Sequence, residues 1–355
     1  MRVLQDPGIF TYKTLQVSAG HTYRYIDQWP AQKDGAPIVL CLHGFPELAF
    51  SWRYQIVDLV GRGYRVIAPD LLGFGGTSKP TEVEAYAKAS MCKSMVEILD
   101  HEGVPGKITI ISHDWGSILA ARFLSYHPEK VKFWATLCVP PTAPAEFGPE
   151  VDYVEMIREH MPQLGYQIYF MSEESNEEMD RYCQTAMLLL YFHLERGLEP
   201  SIEEKLLKYK DESIMYEGVF RKQLNEVGDE LESMTIEDPE ISYVISEVKK
   251  SGLSPALNWY RARKVDKTDE EAALLPEAFS SDIQCIFIGA PKDPALPPGM
   301  FTEDLKMKMF PSGNIECTII EGGNHFFTEA PSHRIKVTQV LGDWIDKKEN
   351  KTASC

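Results

Sequence analysis

Ile108-Thr109-Ile110-Ile111-Ser112-His113-Asp114-Trp115-Gly116-Ser117 is the stretch on which the fold of this 355-residue chain turns. Ile108–Ile111 is β-branched and apolar enough for a buried strand, and Ile118–Ser125 continues with helical spacing. Between them, small residues at 112, 116 and 117 surround one acidic side chain. A strand, a sharp turn and a helix in such quick succession form the setting in which a strained turn lifts a nucleophile into a cleft. The side chain at the apex is Asp114. An ordinary aspartate, with a pKa of about 3.9, is ionised roughly a thousand to one at pH 7. It therefore attacks a saturated carbon without the base that a serine needs, and leaves an alkyl ester. Taken alone, an aspartate here also suits a helix N-cap; the small neighbours favour the nucleophile.

Outward from this stretch, Ile38–Leu42, Arg65–Ala68, Phe133–Val139, Cys285–Ile288 and Cys317–Ile320 are further short apolar runs. Runs apolar on both faces and separated by helices predict strands of a buried parallel sheet. Ala85, Ala89, Cys92, Val96 and Leu99 mark one helical stripe between them. Residues 11–17 and 21–28 predict an antiparallel hairpin turning at Ala19-Gly20. The strand–helix rhythm stops after Pro141 and resumes near Asp282. The 137 residues 141–277 hold helical patches, Met179–Leu194 and Ile241–Lys250 among them, and no convincing strand. The predicted organisation is a core of residues 1–140 and 278–346, an inserted helical cap of 141–277, and a polar tail, 347–355, that frays.

A composition of 44% hydrophobic and 25% charged residues excludes a disordered chain. The net charge is −17, without a basic block, which argues against nucleic acid or an anionic membrane as partner. Residues 141–277 carry 30 of the 53 acidic side chains and only 14 of the 36 basic ones. Nearly the whole acidic excess thus lies in the insertion, where the preferred reading is a solvated outer face and the alternative is a field that disfavours anionic substrates at the cleft mouth. Seven scattered cysteines, an odd number without a C-x-x-C, indicate neither a disulfide framework nor a zinc cassette. With no signal-like apolar run near Met1 and no spanning segment, a soluble, cytoplasmic protein is expected.

Other strand ends carry the companion groups. His43-Gly44-Phe45-Pro46 follows the run Ile38–Leu42, where the amide of Phe45 can join that of Trp115 as an oxyanion hole. His325, in Glu321-Gly-Gly-Asn-His325-Phe326 just past the last strand, is placed for general-base work. Asp293, in Gly289-Ala-Pro-Lys-Asp293-Pro294, follows the preceding strand and can orient the imidazole. Asp282 precedes that strand and is the weaker candidate. His113 beside Asp114 suggests a metal pair, but no convincing third ligand accompanies them.

With these motifs, the chain resembles the soluble epoxide hydrolases of the α/β-hydrolase superfamily, over about residues 10–345. The resemblance rests on His43-Gly-Phe-Pro46 with Ser51-Trp-Arg-Tyr-Gln55, Gly73-Phe-Gly-Gly-Thr-Ser78, and His113-Asp-Trp-Gly116. Tyr166-Gln-Ile-Tyr-Phe170 and Leu257-Asn-Trp-Tyr260-Arg261 match two motifs of the family's cap. The resemblance implies an α/β-hydrolase fold with a mostly parallel eight-stranded sheet, flanking helices and a cap. It implies Asp114 as nucleophile, His325 with Asp293 as the water-activating pair, and Tyr166 and Tyr260 as ring-opening acids. Phe45, Trp115, Tyr166, Tyr260 and Phe326 are the expected contacts of a small apolar epoxide, with water as second substrate and no metal or organic cofactor. Three positions depart from the family: Ser112 and Ser117, where the elbow often has glycine, and Phe326, where tryptophan often follows the histidine.

Chemistry supports the two tyrosines. An opened epoxide leaves an alkoxide, and a phenol of pKa about 10 is protonated at pH 7 and can supply the proton. A haloalkane dehalogenase shares the aspartate elbow, but halide needs no proton, and such enzymes typically place asparagine or glutamate where Phe45 stands. A ligand receptor that kept the pocket is the rival from another class. A serine esterase is disfavoured by the absence of G-x-S-x-G.

Overall fold

The run that opens the sequence reading lies in the middle of the sheet. Strand β5 (Ile108–His113) pairs parallel to β3 (Ile38–Leu42) on one side and to β6 (Val131–Leu137) on the other. In this computed structural model, which describes residues 6–144 and 152–350, the other strands are β1 (Tyr12–Gln16), β2 (Thr22–Gln28), β4 (Arg65–Pro69), β7 (Gln284–Gly289) and β8 (Ile315–Ile319). The eight strands run in the order β1-β2-β4-β3-β5-β6-β7-β8, antiparallel only where β2 meets β1 and β4. Every residue of β3, β4 and β5 is buried, because helices cover both faces of a parallel sheet.

The core helices are α1 (Arg53–Gly61), α2 (Lys88–His101) and α3 (Trp115–Tyr126), with α13 (Glu303–Met309) and α14 (Arg334–Lys348) near the C-terminal end. The stripe predicted for α2 is rotated. Ala85 belongs to a preceding single turn, and the fully buried face is Met91, Cys92, Met95, Ile98 and Leu99. Ala89 and Val96 flank that face and are half-buried; an apolar stripe over 100° wide includes such edge positions. Of the predicted tail, Lys347 and Lys348 close α14, with the Lys348 ammonium on Gln284 and Glu316, and residues 351–355 lie outside the described residues.

Between β6 and β7 the described residues form nine helices and no strand: α4 (Tyr153–His160), α5 (Tyr166–Met171), α6 (Glu174–Arg181), α7 (Cys183–His193), α8 (Pro200–Leu206), α9 (Val219–Glu232), α10 (Pro239–Lys249), α11 (Ser254–Arg261) and α12 (Arg263–Ala272). The patch Met179–Leu194 divides at Tyr182 into α6 and α7.

The acidic excess of this segment is not wholly a solvated face. Four of its carboxylates turn inward onto cations of the sheet layer: Glu240 on Arg53, Glu247 on Arg24, Asp266 on Lys88 and Glu270 on Arg122, at 2.5, 2.9, 3.0 and 2.8 Å. Arg53 is 0% exposed and bridges Glu240 to Glu329, with Arg196 also within 3.4 Å of Glu329. Counting charges along a chain does not reveal which of them face a partner. No helix among the described residues is long and apolar enough to cross a membrane.

Removing one member of a buried ion cluster strands the others without compensation, at about 3–5 kcal/mol. Denaturant unfolding of Arg53→Met should show a loss of that size. Arg158→Met, in an exposed pair with Glu217, should leave the midpoint unchanged.

Candidate active site

β5 delivers the chain to Asp114, whose backbone sits at φ 49° and ψ −124°. A non-glycine residue there stores on the order of 1–3 kcal/mol of strain. Two glycines make the turn possible. A Cβ on Gly116 would lie 2.3 Å from the Leu42 carbonyl oxygen, and one on Gly44 would lie 2.4 Å from Cβ of Asp114. Asp114 occupies the N-cap position of α3, yet its carboxylate makes no capping bond to the helix. Instead Oδ1 accepts the Phe45 amide at 2.8 Å. The carboxylate thus points into the cleft instead of capping the helix.

His325 and Asp293 arrive on loops after β8 and β7, at the carboxyl ends of the strands where α/β sheets bind their ligands. His325 Nδ1 lies 2.7 Å from Asp293 Oδ2, and its Nε2 is 3.9 Å from Asp114 Oδ2. Asp293 Oδ1 accepts the amides of Ala295 and Leu296. Burial works to lower the His325 pKa, but the charge and hydrogen bond of Asp293, then Asp114 and Glu47, outweigh it and hold the imidazole up at about 9. Burial likewise works to raise Asp293, and His325 with the two amides keeps it below the usual carboxylate range.

Tyr166, the first residue of α5, and Tyr260 on α11 face Asp114 from across the cleft. Both phenols are raised far above their ordinary range: burial dominates, followed by the Asp114 charge for Tyr166 and by Tyr166 itself for Tyr260. They stay protonated at any working pH. Their rings stand 6.3 Å apart, with Tyr260 edge-on to Trp115 at 4.9 Å and to Phe45 at 5.4 Å. With Phe45, Asp114 and His325 they enclose a cavity of about 20 Å³, completed by Leu190, Leu194, Met215 and Ala295.

Residues 37–197 match the family model described as alpha/beta hydrolase fold. The Neurospora crassa protein named epoxide hydrolase srdG is 28% identical over 96% of this chain and 97% of its own length. The Rattus norvegicus bifunctional epoxide hydrolase 2 is 36% identical over 64% of this chain, a stretch that makes up 38% of the rat protein. A solved epoxide hydrolase from an endophytic Streptomyces shares the fold, with a TM-score of 0.77 at 24% identity and 97% of both chains covered. The chain has the α/β-hydrolase fold and is similar to epoxide hydrolases over nearly its whole length.

The departures from the family's motifs have local explanations. Ser112 Oγ accepts the buried Trp134 indole at 2.9 Å and the Ser117 hydroxyl at 3.1 Å. The two serines therefore act as a pair that satisfies a polar group in the core. Phe326, expected as a substrate contact, does not line the cavity: it is fully buried, edge-on to Tyr191 at 5.2 Å and to His325 at 5.1 Å. The ring of Trp115 also stays outside the lining and buttresses Tyr260 instead. Asp282 lies ahead of β7 with its side chain 74% exposed, opposite Lys107.

Sequence reasoning missed Glu47. Its Oε2 accepts the Gly44 amide at 2.7 Å and faces His113 Nδ1 at 2.8 Å, while His113 Nε2 lies 2.9 Å from the His325 carbonyl oxygen. This chain ties the Phe45 loop, the end of β5 and the His325 loop together. No sequence signal distinguishes Glu47 from a surface acid. By distance, His113, Cys138 and His325 also form a buried trio. Both nitrogens of His113 and Nδ1 of His325 already have partners, and burial pushes the Cys138 thiol up, so the donor set does not suit a metal.

Because Asp293 is the strongest group holding His325 up, Asp293→Asn should lower the imidazole midpoint from about 9 by roughly 1–3 units. NMR titration of the His325 ring reads this directly; a midpoint that stays or rises contradicts the pairing.

Proposed function

We propose that this protein converts small apolar epoxides and water into vicinal diols through a covalent ester on Asp114. The observation that carries this reading is a single cavity holding one carboxylate, two buried neutral phenols and an acid-oriented histidine. Asp114 Oδ2, the oxygen not engaged by the Phe45 amide, attacks an epoxide carbon; the ring C–O bond breaks and its oxygen takes a proton from Tyr166 or Tyr260. Positioned acids of this kind contribute about 10²–10⁴ in rate.

Esterification removes the Asp114 charge, one of the groups that hold the His325 pKa up. The imidazole then titrates at lower pH, releases its proton to solvent and becomes able to accept another; it regains the solvent proton once the Asp114 charge is restored. His325 takes a proton from water, which attacks the ester carbonyl carbon. The amides of Phe45 and Trp115 stabilise the tetrahedral oxyanion. Its collapse breaks the bond to the diol oxygen, which is protonated by His325. The proton released as the carboxylate reforms returns to the tyrosinate. Ester hydrolysis therefore falls as pH drops through the lowered His325 midpoint.

The helices between β6 and β7 act as a cap, for which we keep the boundaries 141–277, and supply both acids along with Leu190, Leu194 and Met215. These apolar contacts favour an uncharged substrate. We assign the site of action to a reducing compartment, the cytoplasm. The six cysteines among the described residues are all unpaired, five of them buried, which supports this.

The test is incubation with a styrene-oxide-like epoxide and, separately, with a 1-haloalkane, assaying diol and halide. Diol from the epoxide is the expected result. Halide without diol would reassign the site to a dehalogenase, and neither product would make it a binding protein. In His325→Gln, the peptide containing Asp114 should gain the mass of the epoxide and keep it for many minutes. Its absence after epoxide consumption would contradict the ester.

A further inference from the structure

Two hydroxyls on one cavity can donate to an epoxide oxygen only if their hydrogens are not already spent on protein acceptors. The surroundings of Tyr166 address this. Gln167 Nε2 lies 3.2 Å from the Tyr166 hydroxyl oxygen, and Gln167 Oε1 accepts the Tyr153 hydroxyl at 2.8 Å. Arg263 Nη2 donates to the Tyr153 oxygen at 2.5 Å and also lies 3.5 Å from Gln167 Oε1. Its guanidinium stacks on the Tyr153 ring at 3.6 Å.

Guanidinium has five donors and no acceptor. The amide atom facing it must be the oxygen, which leaves the NH₂ toward Tyr166. The Tyr153 oxygen, occupied by Arg263, sends its hydrogen to Gln167. We propose that Arg263, Tyr153 and Gln167 are positioning residues that set the direction of this hydrogen-bond chain, so that the Tyr166 oxygen accepts from Gln167 and its hydrogen is left for the cavity. The same NH₂ group remains to stabilise the phenolate once that proton has moved. Arg263 also lies 5.6 Å over Trp115, the ring that buttresses Tyr260, so one cation serves both acids. The proposal rests on the reading of Tyr166 as a ring-opening acid.

Gln167→Glu tests it most sharply: a carboxylate cannot donate to Tyr166, and it turns the phenolic hydrogen away from the cavity. Gln167→Met deletes the bond at similar volume, and Tyr153→Phe removes the hydroxyl that Arg263 and Gln167 share and so loosens the amide. In single turnovers with styrene oxide, ester formation on the Asp114 peptide and its decay are followed separately. Formation should slow about 10–100-fold in Gln167→Glu and about 3–10-fold in the other two. Decay, which depends on His325, should stay within about twofold of wild type. A merely structural role would slow both steps together. Equal slowing, or unchanged formation in variants with wild-type melting midpoints, overturns the proposal. Should Gln167→Glu fail to fold, the other two variants decide by the same split. A wild-type protein that forms no ester would sink the Asp114 reading too; an ester indifferent to Gln167 would sink this proposal alone.

Discussion

A carboxylate held on left-handed backbone between a buried strand and a helix is the constraint around which this molecule is arranged. The turn at Asp114 closes only because Gly116 passes under the carbonyls of Leu42 and His43 and because Gly44 offers no side chain to Asp114. Those contacts exist because β3 and β5 are paired in register through Leu42 and Ser112. The strain at the turn, a few kcal/mol at most, is borne by a sheet whose central strands are wholly buried. Glu47 and His113 extend the same constraint to the Phe45 amide and to the His325 backbone. Asp114, the Phe45 amide, Asp293 and His325 are thus mounted on a single sheet edge.

Electrostatics then divides the labour. Asp293 and Asp114 hold His325 high, and on the proposed mechanism esterification of Asp114 would relax that hold when a base is wanted. Across the cavity the same low-dielectric setting acts in the opposite sense, keeping two phenols neutral. The helices between β6 and β7, which carry those phenols, meet the sheet layer through opposite charges that are buried at Arg53 and Lys88 and partly buried at Arg122 and Arg24. Such pairs add little net stability over apolar packing, but they are costly to break singly, and so they favour one seating of the cap.

Much of this was legible in the residues. Strands buried on both faces announce themselves as short β-branched runs, and β3, β4, β5 and β7 lie within a residue or two of where apolar runs put them. Asp114, Asp293 and His325 follow strands in the chain, so a parallel sheet brings them to one edge. The capping alternative for Asp114 was settled only by the direction of its carboxylate. Tyr166 and Tyr260 had no signal of their own among sixteen tyrosines; only the family's motifs singled them out. Sequence adjacency to His325 does not reveal which way the Phe326 ring turns, and it packs edge-on against Tyr191 of α7. Glu47 and the inward-facing acids of the cap stayed hidden for one reason: a charge is read as solvated unless its partner, here 66 or more residues away, is known.

The central claim is that the oxygen added to the epoxide comes from Asp114, and water only replaces it. A single turnover in ¹⁸O-labelled water, with enzyme in excess over epoxide, tests this most directly. The label should appear in the peptide that carries Asp114, and the diol formed in that first turnover should be unlabelled. Label in the diol, with the Asp114 peptide unlabelled, would mean that water attacks the epoxide itself and would contradict the account.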